Sequence, residues 1–148
     1  LMRLHMGYPE GEDELEILRT ARTSYDAIEL NPVVSGDEIK ALQETASKVF
    51  VEDSVLDYIL KLVTATRTEA EFKAGISVRG GLALRVAAQA RALVNGRDFV
   101  LPDDVVELVA PVWAHRLAPL RPTGDALEER RVVTGLLKRI VGAIELPV

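Results

Sequence analysis

Several residue types are scarce in this chain of 148 amino acids, and each scarcity excludes a class of function. The absence of cysteine excludes a disulfide framework, a cysteine-based zinc site, an iron–sulfur cluster and a thiol nucleophile. The two histidines, His5 and His115, are too few for a multi-histidine metal site. Aromatic residues make up 5% of the chain and the net charge is −5, so the basic footprint of a general nucleic-acid binder is missing. We therefore predict no nucleic-acid partner.

Long apolar runs are missing as well. No run reaches the roughly 18 residues that a membrane span needs, and no signal-peptide pattern opens the chain, so we predict no membrane partner. The lack of cysteine fits a reducing compartment. Because the first residue is leucine rather than methionine, we expect the chain to start inside a longer protein.

The remaining sequence is dominated by helical periodicity. Three helix starts carry N-capping residues, namely Ser35 and Asp125, each followed by glutamate three residues later, and Ser77. Asn95-Gly96 is a stop signal, and Pro102 suits a first helical position. These signals and the apolar spacing predict six helices, over about 12–21, 35–49, 53–67, 80–94, 102–116 and 125–144.

The periodicity also predicts which helix faces are buried. We expect Leu15 and Leu18 to face the core from the first helix, and the stripe of Ile39, Leu42, Ala46 and Val49 to do so from the second. In the fourth helix the predicted face comprises Leu82, Val86, Ala90 and Leu93, and we expect Ala83 and Ala87 to allow close packing. In the fifth helix it comprises Val105, Leu108, Val109, Val112 and Trp113, with Pro111 expected to kink or split that helix.

Strand signals are short and few. Residues 1–6 alternate with a period of two, which is typical of a strand. Val33-Val34 and Phe99-Val100-Leu101 are short extended pieces that we expect to pair as a minimal sheet. The predicted fold is therefore mainly α, a bundle of about six helices with two or three very short strands.

Residues for a self-contained active site are absent from the sequence. There is no phosphate-binding loop, no dinucleotide fingerprint, no nucleophile elbow and no zinc-protease motif. We interpret each Asp and Glu as part of a solvated helix face, and His115 with Arg116 as residues that suit a helix C-terminus.

Arg79 is the residue that best suits binding chemistry. It lies at a predicted helix N-terminus, directly before Gly80 and Gly81. A guanidinium beside free backbone N–H groups suits an anionic oxygen such as a phosphate. Because a positive charge at a helix N-terminus is unfavourable by a few tenths of a kcal/mol or more, a salt bridge to one of the many acids is an equally good interpretation on spacing alone.

Several motifs together resemble the C-terminal part of MoxR-type AAA+ ATPases. The resemblance covers residues 1 to about 118 clearly and the last helix loosely. The matching segments, in the family's order, are Leu1–Pro9, Tyr58–Arg67, Gly75–Gly80, Ala87–Arg91, Gly96–Val105 and His115-Arg116. Within the family's G-A-S-P-R-A box this chain has Ile76, Val78 and Gly80 in place of Ala, Pro and Ala, which makes the turn before Arg79 less rigid.

The resemblance implies a fold and a role. It places the end of an ATPase core and a linker at 1–9, and a helical lid domain at 10–148. It implies that Arg79 is a sensor-2-type arginine that reaches the terminal phosphates of ATP held by a core domain. Tyr8 and Pro9 resemble the linker that flanks the adenine. The core would hold ATP and Mg²⁺, so the chain alone is not expected to be an enzyme or to bind ATP.

The resemblance further implies assembly and partners. MoxR-type proteins form hexameric rings in the cytoplasm and do chaperone-like work on protein complexes, often on proteins with von Willebrand factor A domains. The alternative hypothesis is a stand-alone helical protein-interaction module with no nucleotide role.

Overall fold

The computed structural model describes residues 1–4, 6–20 and 31–147. These ranges contain six α-helices and one short 3₁₀ helix, Ala114–Arg116. The α-helices are α1 (Gly11–Thr20), α2 (Gly36–Lys48), α3 (Asp53–Thr68), α4 (Val78–Val94), α5 (Pro102–Trp113) and α6 (Ala126–Ala143). The prediction of a mainly α fold with about six helices is confirmed. The predictions for His5 and for a helix end at Ala21 lie outside the described residues.

Local capping explains where most helices begin and end. Ser35 and Glu38 form the predicted capping box, in which Glu38 N donates to Ser35 Oγ at 3.2 Å and Ser35 N donates to the Glu38 carboxylate at 2.7 Å. Asp125 caps α6 by accepting from Leu127 N at 2.8 Å. The backbone N–H of Asp125 donates to the Thr123 hydroxyl rather than to the Glu128 side chain. The second predicted capping box is therefore wrong in this one hydrogen bond.

The predicted strands are not formed. Residues 1–4 and 6 belong to no strand, and Arg3 N instead donates to the carbonyl of Pro111 at 2.9 Å. Val33-Val34 lies in a bend, so its predicted pairing with residues 99–101 is wrong. Phe99 forms an isolated parallel bridge with Phe50 instead. The reason is that the chain leaves α2 in extended form at Phe50, beside the segment that leaves α4, and two backbone bonds of 2.8 and 2.9 Å join them.

Helix α4 begins two residues before the predicted start, and its buried face differs from the predicted one. Gly80 and Gly81 lie in its first turn. The buried side chains are those of Ala83, Leu84, Ala87, Ala88, Gln89 and Ala92. Leu82 and Val86 are 54% and 51% exposed, so the predicted face is wrong at these two residues. The other two, Ala90 and Leu93, are half-buried, and Leu93 packs against the core. Both sides of this alanine-rich helix are apolar, and packing against α3 and α5 selects the side with small residues.

The core lies between α3, α4, α5 and α6. Trp113, Tyr58, Leu62, Leu84 and Leu137 are among its largest fully buried side chains. All five apolar residues predicted for the buried face of α5 are buried. Helix α5 continues for two residues past Pro111, which therefore does not split it. None of the helices in the described ranges has the length and apolar character needed to cross a membrane.

Helices α1 and α2 contribute little to this core. The described side chains of α1 are exposed, and α2 has no buried residue. Leu15 and Leu18 of α1 and Ile39 and Leu42 of α2 are therefore exposed, against the prediction. Val49, the last residue of the predicted α2 stripe, is buried in the core as predicted. Helix α2 is tied to α4 through Gln89, whose side-chain amide donates to the carbonyl of Val49 at 2.7 Å.

Candidate functional site

Arg79 is the second residue of α4, at the surface of the helix bundle. Its side chain is exposed, and among the described residues the structure gives it no ion pair and no hydrogen bond. The salt bridge that spacing alone left open is therefore not formed within the described part of the chain. A guanidinium in the first turn of a helix, with its donors unused, is suited to an anionic oxygen brought to the lid from outside.

The backbone that carries Arg79 is fixed from α3. The buried hydroxyl of Thr66 accepts a hydrogen bond from Ile76 N at 3.0 Å, and Arg67 Nε donates to the Ile76 carbonyl at 2.9 Å. Gly75 passes so close to α3 that an added Cβ would lie 2.6 Å from both the backbone N and the Cγ of Arg67. The end of α3 thus holds the turn that leads into α4.

A hydrogen bond from α5 also fixes the first turn of α4. The buried indole of Trp113 donates from Nε1 to the carbonyl of Gly80 at 2.9 Å. Ser77 caps the same turn by accepting from Gly80 N at 3.3 Å. An added Cβ at Gly80 would meet Ile76 Cγ2 at 2.6 Å, so alanine at this position would force the Ile76 side chain to shift. Arg79 therefore projects from backbone that is held on both sides.

An apolar groove lies between α3 and α4, and its lining includes Val78, the residue before Arg79. Its volume is about 240 Å³, and Leu60, Val63, Val78 and Leu82 line it, with Arg67 and Arg85 also on its wall. Val78 and Leu82 are 70% and 54% exposed. The surface around Arg79 therefore combines an unpaired cation with uncovered apolar area, which is typical of a surface that meets another body.

The other predicted binding residues lie in the N-terminal segment. Tyr8 is 95% exposed and Pro9 is exposed. Gly7 turns the chain just before them with a φ of +76°, a backbone conformation that glycine adopts readily. No hydrogen bond joins the Tyr8 hydroxyl to another described residue, and the structure does not bring Tyr8 or Pro9 together with Arg79 by any contact. Their adenine-side role stays a prediction.

A buried ionic cluster joins α4 to α5 and was missed by the sequence analysis. Asp104, 3% exposed, accepts from both terminal nitrogens of Arg97 at 2.7 Å and from Leu101 N at 2.9 Å. Arg91 lies 3.3 Å from the same carboxylate and also pairs with Glu107. Burial alone would raise the pKa of Asp104, but the hydrogen bonds from Arg97 and Leu101 N, with the charges of Arg97 and Arg91, hold it below its usual value.

His115 and Arg116 form the 3₁₀ turn after α5. Arg116 Nε donates to the carbonyl of Val112 at 3.1 Å, which is the capping role predicted for this pair. Partial burial, followed by the charge of Arg116, lowers the pKa of His115. In the part of the chain that the structure describes, no group of three or more His, Asp and Glu side chains is placed to hold a metal ion.

Part of this chain is similar in sequence to a known family of domains. Residues 64–134, which include Arg79, Trp113 and the ionic cluster, match the family of AAA lid domains. The whole chain is 35% identical to YeaC of Bacillus subtilis and, over 99% of its length, 32% identical to the chaperone MoxR1 of Mycobacterium tuberculosis. It covers 45% and 40% of those two proteins, so it spans less than half the length of these curated relatives.

Two further matches agree. MoxR of Paracoccus denitrificans is 42% identical over 77 residues, which are 51% of this chain and 22% of that protein. A crystal structure of a candidate ATPase from Cytophaga hutchinsonii superposes with a TM-score of 0.76 at 26% identity, over 99% of this chain and 46% of that one. The expected resemblance is confirmed by sequence and by fold. Residues 64–134 form an AAA lid domain, and the chain as a whole is similar to MoxR-type proteins.

Proposed function

We propose that this chain acts as the lid of an AAA+ ATPase, and that Arg79 is its sensor-2-type arginine. ATP and Mg²⁺ bind in a core domain, and the lid closes over the nucleotide. We propose residues 1–9 as the end of that core with its linker, and 10–148 as the lid. The chain by itself hydrolyses no ATP, because the sequence has neither a phosphate-binding loop nor another catalytic motif.

One observation carries this proposal: the exposed guanidinium of Arg79 has no partner among the described residues, yet its backbone is held from α3 and α5. A cation carried on fixed backbone but left unpaired is available for an anion that arrives with another domain. The guanidinium fits the terminal phosphates of ATP, because its planar donors bind phosphate oxygens in pairs. Bound ATP supplies the phosphoryl group, and Arg79 spreads donors over the charge that develops there.

The same contact links nucleotide state to lid position. Arg79 has a phosphate partner before hydrolysis and loses it afterwards, so the angle of the lid follows the state of the nucleotide. The exposed apolar groove between α3 and α4 supports this proposal, since it offers a surface for the core to meet when the lid closes. Tyr8 and Pro9 contact the adenine side in the same proposal.

The assembly and its work form a further part of the proposal. We place the ATPase in the cytoplasm as a hexameric ring, in which each lid also meets neighbouring subunits. The ring remodels or matures other protein complexes, including those with von Willebrand factor A domains. The support is the AAA lid domain and the similarity to MoxR1, which is named a chaperone.

The decisive experiment is Arg79→Ala in the complete ATPase. Loss of charge-assisted hydrogen bonds worth roughly 1.5–3 kcal/mol predicts a turnover lowered about 10- to 100-fold. Arg131→Ala is the matched control, because Arg131 is also exposed, lies on a helix and has no partner among the described residues. Wild-type turnover and wild-type nucleotide-dependent assembly in Arg79→Ala would refute the sensor role.

A stand-alone interaction module is the competing function. The exposed apolar residues of α1 and α2 favour it, since they are suited to bind a protein partner. It predicts that partner binding is independent of nucleotide and unaffected by Arg79→Ala. The Arg79 variant therefore discriminates between the two.

A further inference from the structure

We infer that Thr66 and Arg67 are positioning residues for Arg79, acting through the backbone of Ile76. The inference rests on the proposed function, because it concerns how a sensor arginine is kept in place. Neither side chain needs to touch the nucleotide. Each instead fixes one polar group of the same peptide residue, three positions before Arg79.

Both backbone polar groups of Ile76 are hydrogen-bonded to side chains of α3. The hydroxyl of Thr66 is fully buried, donates to the carbonyl of Val63 at 2.7 Å and accepts from Ile76 N at 3.0 Å. Arg67 Nε donates to the Ile76 carbonyl at 2.9 Å. Two successive residues of α3 thus bind both the N–H and the C=O of one residue in the turn, while the Ile76 side chain is 2% exposed. The turn has no freedom to rotate about this residue without breaking a hydrogen bond.

The position of Arg79 depends on this turn. Its side chain has no hydrogen bond or ion pair with another described residue, so only the backbone sets where the guanidinium can reach. Val78 stands at the first helical position, where proline would fix φ in advance. With valine there, the rigidity of the turn has to come from its neighbours. The Ser77 cap and the Trp113–Gly80 bond hold the helix side, whereas Thr66 and Arg67 hold the loop side.

The test compares Thr66→Val with Thr66→Ser in the complete ATPase. Valine keeps the shape but removes the acceptor for Ile76 N, whereas serine keeps the hydroxyl. A displacement near 1 Å at a catalytic contact is worth on the order of 100-fold. Because the Ser77 cap and the Trp113–Gly80 bond still hold the helix side of the turn, we expect Thr66→Val to lower kcat by less, about tenfold. We expect Thr66→Ser to stay within twofold of the wild type and KM for ATP to change little in either. A purely structural role would change the folded fraction and leave kcat per folded molecule alone.

Combination with Arg79→Ala separates positioning from other effects. If Thr66 acts through Arg79, then Thr66→Val adds less than a twofold loss in the Arg79→Ala background. Full additivity of the two losses would overturn the inference, and so would wild-type kcat in a folded Thr66→Val protein.

A second variant covers the case in which Thr66→Val fails to fold. Arg67 is exposed, so Arg67→Lys keeps the charge and the fold while losing the Nε–H bond to Ile76. We expect a several-fold loss of kcat, again absent in the Arg79→Ala background, and no loss in Arg131→Lys. If Arg79→Ala lowers turnover but the Thr66 and Arg67 variants do not, the inference fails and the proposed function stands. If Arg79→Ala itself is silent, both fail.

Discussion

Replacement of Asp104 by asparagine tests the ionic cluster that joins α4 to α5. The change keeps the side-chain volume but removes the negative charge. It offers Arg97 an amide in place of a carboxylate that accepts two bonds of 2.7 Å, and it takes the counter-charge from Arg91. The bond from Leu101 N, at 2.9 Å, can persist on the amide oxygen.

The magnitude follows from burial. Removal of one partner of a buried ion pair typically costs about 3–5 kcal/mol. Asp104 is 3% exposed at its side chain, but those of Arg97 and Arg91 are 22% and 35% exposed, so water can solvate them after the change. We therefore expect a loss of about 2–3 kcal/mol in the free energy of unfolding, below the fully buried range. At about 4 °C per kcal/mol for this chain length, Tm falls by roughly 8–12 °C.

The assay is urea unfolding of the 148-residue chain, followed by circular dichroism, with Asp103→Asn as the matched control. Asp103 is the neighbouring acid in the first turn of α5 and is exposed, so its neutralisation removes only a helix-dipole interaction worth about 0.3–1 kcal/mol. Equal losses in the two variants would refute the reasoning, because they would show that burial and the arginine partners of Asp104 add nothing.

Two further results are expected. The folded-state pKa of Asp104 is lowered, so its contribution to stability is fully present above the unfolded pKa of about 3.9 and is lost as the pH falls through the folded pKa. The difference in urea midpoint between wild type and Asp104→Asn should therefore be constant near neutrality and shrink below about pH 4. A difference that widens below that pH would contradict the assignment. Gly75→Ala should destabilise the fold by more than about 1 kcal/mol, because the added Cβ would overlap the backbone of Arg67. Gly135→Ala in α6 has open space around it and should stabilise the fold by about 0.5–1 kcal/mol. Thermal unfolding measures both variants, and equal shifts in Tm would show that the close approach at Gly75 is not restrictive.

Helix boundaries were largely predictable because their causes are local. Ser35, Ser77 and Asp125 cap helices within three residues of themselves. Gly96 takes a φ of +71° directly after α4, as its place in the stop signal predicted. Each of these signals depends on a few neighbouring atoms, so the surrounding fold has little influence on it.

The buried faces were predictable only where one side of a helix is clearly polar. Helix α5 has such a side, and its five apolar residues are buried as predicted. In α4 apolar residues surround the axis, so periodicity could not decide between Leu82 with Val86 and Leu84 with the alanines. The decision comes from α3 and α5, which approach closely only where the α4 side chains are small. Tertiary packing therefore overrides the local pattern at that helix.

In the candidate site, too, the sequence predicts what depends on neighbouring residues and not what depends on the fold. Arg79 stood out because its motif is contiguous, from Gly75 to Gly80. The residues that hold it are ten or more positions away in sequence: Thr66 binds Ile76 across the turn after α3, and Trp113 binds Gly80 from the end of α5. Helical spacing rules relate residues three or four apart, so they connect neither pair. Asp104 and Arg97 both lie in the matched segment Gly96–Val105, but their pairing was not predicted, because they are seven positions apart across a helix start. An acid at a helix N-terminus normally stays solvated, whereas this one is buried and pairs with both Arg97 and Arg91.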